Sequence, residues 1–307
     1  MKQQTKNIII GLAALVAANV IWGVMAPICK DLFNTGLIDG TTISAIRIIA
    51  CTAIFWLLTP FVQESRKFGT LEKKDVLPVF IIAPIFMIGT QTLTNVGVQY
   101  TYPIDAAVCC STTPIFTLLL GAIFYYHKFP SLIKILGVLM GLAGVVIFIM
   151  TTAENPDQHV DNPVLGDTLC VLSQLCGAIY LVFFVDTARK YSAFTLMKWL
   201  YTFSLPFILP FTFKDIIAVP WGELSAGVWF DVLYIVILGS FVGYLLIPFA
   251  QQKVTPTVIA MCNYLQPITT AIYAIILGMA VITGATVIAT LLIFVGVWFV
   301  NKESKLK

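Results

Sequence analysis

Polar side chains are scarce in this chain, and those able to do chemistry gather beside two prolines. Ser111-Thr112-Thr113 leads into Pro114, and Asn263-Tyr264-Leu265-Gln266 leads into Pro267, each near the middle of a long apolar run. Hydroxyls and amides both donate and accept hydrogen bonds and carry no fixed charge. A proline within a helix removes a backbone bond and clashes with the preceding turn, at a cost of ~3 kcal/mol or more. It therefore frees backbone carbonyls next to those side chains. Such a combination suits reversible binding of a small polar molecule better than bond-making. Catalysis would need paired carboxylates, a His/Glu metal cluster or a Ser/His pair at workable spacing, and none of the apolar runs holds one. His127 and His159 stand far apart, and the seven cysteines show no zinc-type C-x-x-C spacing. Buried free thiols acting as small hydrophobes account for them. No metal and no cofactor is expected.

Other polar residues sit in apolar runs at helical spacing. Asn19 and Trp22, Gln91 and Asn95, and Ser240 and Tyr244 are three or four residues apart, so each pair shares a helix face. Ser173 and Gln174 are central in a further run, with Tyr180 beyond them. Side chains of this kind inside a membrane face the protein interior. Asn19, Trp22, Gln91, Asn95, Gln174, Tyr180, Tyr244, Asn263 and Gln266 are the candidate substrate contacts, with Pro114 and Pro267 as candidate gating points. For a single Ser or Thr a plain packing role competes, because interhelical hydrogen bonds in membranes contribute only ~0.6 kcal/mol on average.

Two charged residues are further candidates. Arg47 sits some 9 Å along its helix from the outer end, at about 1.5 Å per residue. It could snorkel to the headgroups, pair with a carboxylate, or hold an anionic substrate group. Asp105 opens an apolar run, where a carboxylate suits the positive end of the helix dipole; a proton-coupling role competes with that reading. Lys198 is expected to snorkel.

The elements that must position these residues follow from composition. The 307 residues are 59% hydrophobic and 11% charged, with a mean hydropathy of +0.94, whereas an ordinary soluble domain carries roughly 25% charge. A spanning helix needs about 20 mainly apolar residues. Ten such runs occur, near 8–29, 41–62, 76–97, 104–126, 131–150, 166–188, 194–213, 228–250, 256–279 and 283–300. They are long and continuous, unlike the short alternating segments of a barrel. The fold class is an all-α membrane protein of ten transmembrane helices, with membrane lipid as its solvent. Lys2 and Lys6 before the first run resemble a signal peptide, but its apolar core exceeds the usual 7–15 residues; it is read as a retained helix. The net charge of +3 is small and scattered, so nucleic-acid binding has no support. The sequence sets no oligomeric state.

If the spans alternate from a cytoplasmic N-terminus, the inner segments hold Lys2, Lys6, Arg66, Lys67, Lys73, Lys74, Lys128, Lys134, Arg189, Lys190, Lys253, Lys302, Lys305 and Lys307. The outer segments hold only Lys30 and Lys214. Positive charge marks the cytoplasmic side, so both termini are expected there. The polar stretch 151–166 divides the chain into five spans and five. An offset of 153 aligns residues 99–126 with 252–279, matching Gln99/Gln252, Pro103/Pro256, Ala107/Ala260, Cys109/Cys262, Pro114/Pro267, Ile115/Ile268, Thr117/Thr270 and Ile123/Ile276. Five is odd, so the halves 1–150 and 151–307 would enter the membrane from opposite sides. Inverted repeats of that kind characterise secondary transporters.

The sequence also resembles the drug/metabolite transporter superfamily, EamA type, once per half. The matching residues are Trp22-Gly23, Arg47 with Ala50, Pro114, and the Gly137/Gly141/Gly144 ladder. The second half supplies Gly166-Asp167 with Ala178 and Tyr180, then Pro267 and Gly296. The resemblance departs at one point. The family commonly has a glutamate thirteen residues after the central proline, where this chain has His127 and Ala280. The resemblance implies an inner-membrane permease that moves a small metabolite outward. Its cavity would lie between spans one, three, four, six, eight and nine, with five and ten as outer support. A lining of amides and phenols without a counter-ion disfavours a strongly charged substrate; a neutral or zwitterionic one is expected. A membrane receptor and a membrane-embedded enzyme are the competing classes.

Overall fold

The computed structural model describes residues 2–62, 70–101, 106, 109, 111–125, 130–150, 162–276 and 284–304. No strand occurs among them. In the first half, α1 is Lys2–Asn34 and α2 is Gly40–Leu58. α3 is Lys73–Tyr100, α4 is Thr113–Tyr125, and α5 is Leu132–Met150. In the second half, α6 is Pro163–Phe183, the short α7 is Val185–Lys190 and α8 is Ala193–Ala218. α9 is Ala226–Gln251, α10 is Pro256–Cys262, α11 is Leu265–Ile276 and α12 is Gly284–Ser304. Helix falls on each of the ten apolar runs. Six helices (α1, α2, α3, α6, α8 and α9) are long and apolar enough to cross a membrane by length and composition. Large apolar side chains cover the outside, with Phe211 82% exposed. Lipid, not water, is the solvent that tolerates such a surface.

Short polar side chains start the helices. Asp39, Asn162, Ser192 and Ser225 each accept a hydrogen bond from the backbone N–H three residues on, satisfying a donor that the first turn leaves open. Three helices contain π segments, Pro84–Ile88 in α3, Gly121–Tyr125 in α4 and Tyr234–Val242 in α9. The last of these holds Ser240. There the Ser240 hydroxyl donates to the Ile235 carbonyl five residues back at 2.8 Å.

Packing pairs the two halves. α5 lies along α12, α2 against α8, and α4 against α10. α3 packs on α6 as α1 packs on α9, and α1 packs on α11 as α4 packs on α6. Exchanging the spans of one half for those of the other maps the first three pairings onto themselves and each of the others onto its counterpart. Glycines allow the closest approaches. A Cβ on Gly296 of α12 would stand 2.5 Å from the Gly137 carbonyl oxygen and 2.8 Å from the Gly141 nitrogen of α5. The glycine ladder of α5 is thus a helix-packing face, as its spacing suggests.

Side-chain bonds tie loop and helix ends together at both ends of the bundle. At one end Lys190 Nζ lies 2.5 Å from Asp75 and 2.6 Å from Glu72, joining two segments expected on the same side. There Gln252 Nε2 also donates to the Ala188 and Tyr191 carbonyls. At the other end Thr101 donates to Asp167 at 2.5 Å, and the Gly40 N–H reaches Gln99 at 3.3 Å.

Candidate functional site

The two proline-bearing runs are broken rather than kinked. Before Pro114 the chain turns at Ser111-Thr112, with the Thr112 N–H bonded to the Cys109 carbonyl, and α4 then begins. Before Pro267, α10 stops at Cys262. The Asn263, Tyr264 and Gln266 N–H groups bond carbonyls three residues back instead of four. Each proline therefore sits in the first turn of a new helix piece, where a missing N–H costs nothing. The break lies in the residues before it. Those are the hydroxyls and amides that the sequence singles out.

They form two small groups. In the first, Asn263 Nδ2 donates to Thr113 Oγ1 at 3.3 Å, and Thr113 donates to Gln174 Oε1 at 2.6 Å. Gln174 Nε2 reaches Ser173 Oγ at 2.9 Å, which also accepts from Thr94 at 2.8 Å. In the second, Gln266 Nε2 donates to Asn19 Oδ1 at 3.0 Å, while Asn19 Nδ2 is spent on the Leu15 carbonyl of its own helix.

A third group is larger and centres on Arg47. This residue is 1% exposed, so it does not snorkel. It forms no ion pair with a carboxylate among the described residues. Its Nε donates to Ser240 Oγ of α9 at 2.6 Å, and Nη1 stands 3.5 Å from Asn95 Oδ1 of α3. Asn95 in turn donates to Ser44 at 2.8 Å. The Ser240 carbonyl accepts from the Tyr201 hydroxyl at 3.3 Å, and Tyr201 accepts from Gln91 Nε2 at 3.4 Å. Two of the three sequence readings of Arg47 thus fall away. A lining without fixed charge also has to be corrected, because the cation joins the network of two candidate residues, Gln91 and Asn95.

Aromatic rings complete this group. Tyr244 stands edge-on to Trp22 at 5.4 Å and contacts Phe86 and Tyr201. Its hydroxyl lies 3.0 Å from Thr90. The Trp22 N–H is bonded to the Gly239 carbonyl at 2.8 Å, so this indole offers a ring face and not a donor. Tyr180 lies flat on Phe86 with centroids 3.7 Å apart. Two buried polar atoms here, Gln91 Oε1 and the Tyr180 hydroxyl, have no hydrogen-bond partner.

The comparisons with known proteins agree with one another. The family model described as the EamA-like transporter family matches twice, over residues 9–150 and 164–302. The chain belongs to the EamA-like transporter family. A Bacillus subtilis (strain 168) protein named as the uncharacterized transporter YyaM is 22% identical over 268 residues, 86% of this chain and 85% of that one. An Archaeoglobus fulgidus protein, named only as an uncharacterized transporter, is 23% identical over 283 residues, 92% of this chain and 95% of that one. A crystal structure at 16% identity covers 98% of both chains with a TM-score of 0.72, which establishes the shared fold. This EamA-like chain is accordingly a multi-pass membrane transporter, with a small molecule as its substrate.

Not every functional candidate was legible in the transporter's sequence. Tyr201, Thr90, Thr94 and Ser44 join the networks although nothing beyond a polar group in an apolar run marks them. Lys198, expected at the headgroups, is 2% exposed, with its amine 4.7 Å from the Trp56 ring and 5.5 Å from the Trp199 ring. Asp105, His127 and Ala280 lie outside the described residues.

Proposed function

We propose that this protein is a secondary transporter that exports a small neutral or zwitterionic organic metabolite across the cell inner membrane by alternating access. In this reading ten spans form two inverted five-helix repeats, 1–150 and 151–307, with both termini in the cytoplasm. The substrate sits at mid-depth between the repeats, and one repeat rocks against the other around it. Pro114 and Pro267 mark where the two broken spans flex.

One observation carries the reading. The broken runs hydrogen-bond across the halves through side chains adjoining the break, Asn263 to Thr113 at 3.3 Å and Gln266 to Asn19 at 3.0 Å. Broken membrane helices are tolerated where they line a cavity or are buried in protein. A pair of them in corresponding positions of two repeats points to a transport site. The exchange symmetry of the packing and the double family match support it.

The direct test is metabolite profiling of cells and medium with and without the protein. The expected result is accumulation of one metabolite class in the medium that depends on the protein and is lost in the Asn263→Ala variant. Identical profiles across the two strains would sink the transporter mechanism. Topology has its own check: single-cysteine labelling is expected to reach 151–166 from outside, and 63–75 and the C-terminus only from within. A C-terminus labelled from outside would reject the inverted ten-span arrangement.

A further inference from the structure

We propose that Arg47 is the anchor for a single carboxylate group on the transported molecule. The inference rests on the transporter reading and narrows its substrate class. A guanidinium taken out of water is costly unless it is paired. Here it is buried and its partners among the described residues are neutral, Ser240 at 2.6 Å and Asn95 at 3.5 Å. Those two contacts occupy two of its five N–H donors. The Asn95 contact is at the outer limit of a hydrogen bond, so a carboxylate oxygen can replace it at little loss. The planar fork of an arginine fits a carboxylate with two parallel bonds, which a lysine does not.

A second observation in the same network points to a ligand. Gln91 Oε1 is buried and accepts no hydrogen bond, while the amide nitrogen of the same side chain is held near Tyr201. Tyr201 and Arg47 meet on Ser240. An unsatisfied buried acceptor carries a desolvation penalty of about 1–3 kcal/mol, which an N–H or O–H of the bound molecule removes. The site thus offers charged donors at Arg47 and an open acceptor at Gln91, linked through Tyr201 and Ser240. A small monocarboxylate that also bears an amino group satisfies both and is zwitterionic. A di- or trianion leaves charge uncompensated, because this network holds one cation.

The test uses purified full-length protein in detergent and matched probes. Small monocarboxylates, with and without an α-amino or α-hydroxyl group, are each compared with their own carboxamide by thermal shift. The expected result is a melting-temperature rise for at least one carboxylate that its carboxamide does not give. In Arg47→Gln that carboxylate should bind roughly tenfold more weakly or worse, the loss of a charged hydrogen bond, with Arg47→Lys between the two. The carboxylate and carboxamide comparison is made on the native protein, so it stands even where Arg47→Gln fails to fold. No shift from any carboxylate, an equal shift from the carboxamide, or undiminished binding in Arg47→Gln overturns the assignment. Protein-dependent export of a metabolite lacking a carboxylate would sink the Arg47 anchor and leave the transporter reading intact.

Discussion

Thr113 and Gln266 hold the same position in the two halves, each one residue before its proline, and each hydrogen-bonds the first span of the opposite half. Thr113 donates to Gln174 of α6 at 2.6 Å, and Gln266 donates to Asn19 of α1 at 3.0 Å. The side chains differ, but the crossing is the same. A displacement of either half relative to the other must stretch both bonds. The broken spans are therefore coupled to the interface between the halves, where alternating access would act.

Removing both crossing bonds tests that coupling. Thr113→Val and Gln266→Leu keep volume and delete the donors. At an average of ~0.6 kcal/mol per such bond in membranes, Gln266→Leu is expected to cost stability about that much and Thr113→Val, which loses two bonds, about twice as much, while export falls by several-fold. Export rates beside melting temperatures would separate the two effects. Native export in the double variant would reduce the crossing to packing.

The prolines act in a different way. Because each lies in the first turn of a helix piece, alanine there restores no bond to an existing helix. It permits a continuous helix through the break instead. Pro114→Ala and Pro267→Ala are expected to slow transport, and the double variant more so, with folded yield unchanged. A double variant that transports normally would leave the prolines as mere helix starters.

Much of this architecture was legible, and what was not shares one cause. Hydropathy located the apolar runs, the prolines located the breaks to within a few residues, and the spacing of Gly137 and Gly141 marked a packing face. Helical periodicity tells which residues share a face, but not which helix that face meets. Arg47 shows the consequence. Its partner Ser240 is 193 residues away and is a residue type that says little by itself, so the sequence leaves snorkelling, carboxylate pairing and an anion-holding role all open. Lys198 was missed in the same way. Its amine is held by Trp56 from another helix together with its own neighbour Trp199.

The end of the bundle that carries Lys190 gives a pH prediction. Hydrogen bonds from Lys190 and then Tyr191 hold the Asp75 carboxyl below its usual range, and Lys190 and then Lys74 do the same for Glu72. A carboxylate with a depressed folded-state pKa stabilises above its unfolded value and loses that contribution as pH falls through the folded one. Burial works against the Lys190 charge, but its bonds to Asp75 and Glu72 outweigh it and raise its pKa, so its share is lost only in strong alkali. The melting-temperature gap between native protein and Lys190→Gln is therefore expected to be steady at neutral pH and to close in acid, below the ordinary carboxylate range. These groups are exposed enough that the gap itself should be small and salt-sensitive. A gap that widens in acid would contradict the assignment.

The α5 and α12 pairing allows the most direct structural test. A Cβ on Gly296 meets backbone atoms, the Gly137 oxygen at 2.5 Å and the Gly141 nitrogen at 2.8 Å, and backbone cannot swing aside as a side chain can. Overpacking a tight core costs about 1–3 kcal/mol even where side chains can adjust. Gly296→Val is thus expected to push α12 off α5 and to lower folded yield and melting temperature. It should also loosen Tyr264, whose ring lies over Gly141 and whose hydroxyl bonds the Val138 carbonyl at 3.2 Å. Because Tyr264 directly precedes α11, transport should fall even in the fraction that folds. Gly222→Ala is the control, since nothing lies within 4 Å of a Cβ there, and it should behave as native. Equal stability and transport in Gly296→Val and Gly222→Ala would show that the close approach of α5 and α12 is not needed to hold the broken span in place.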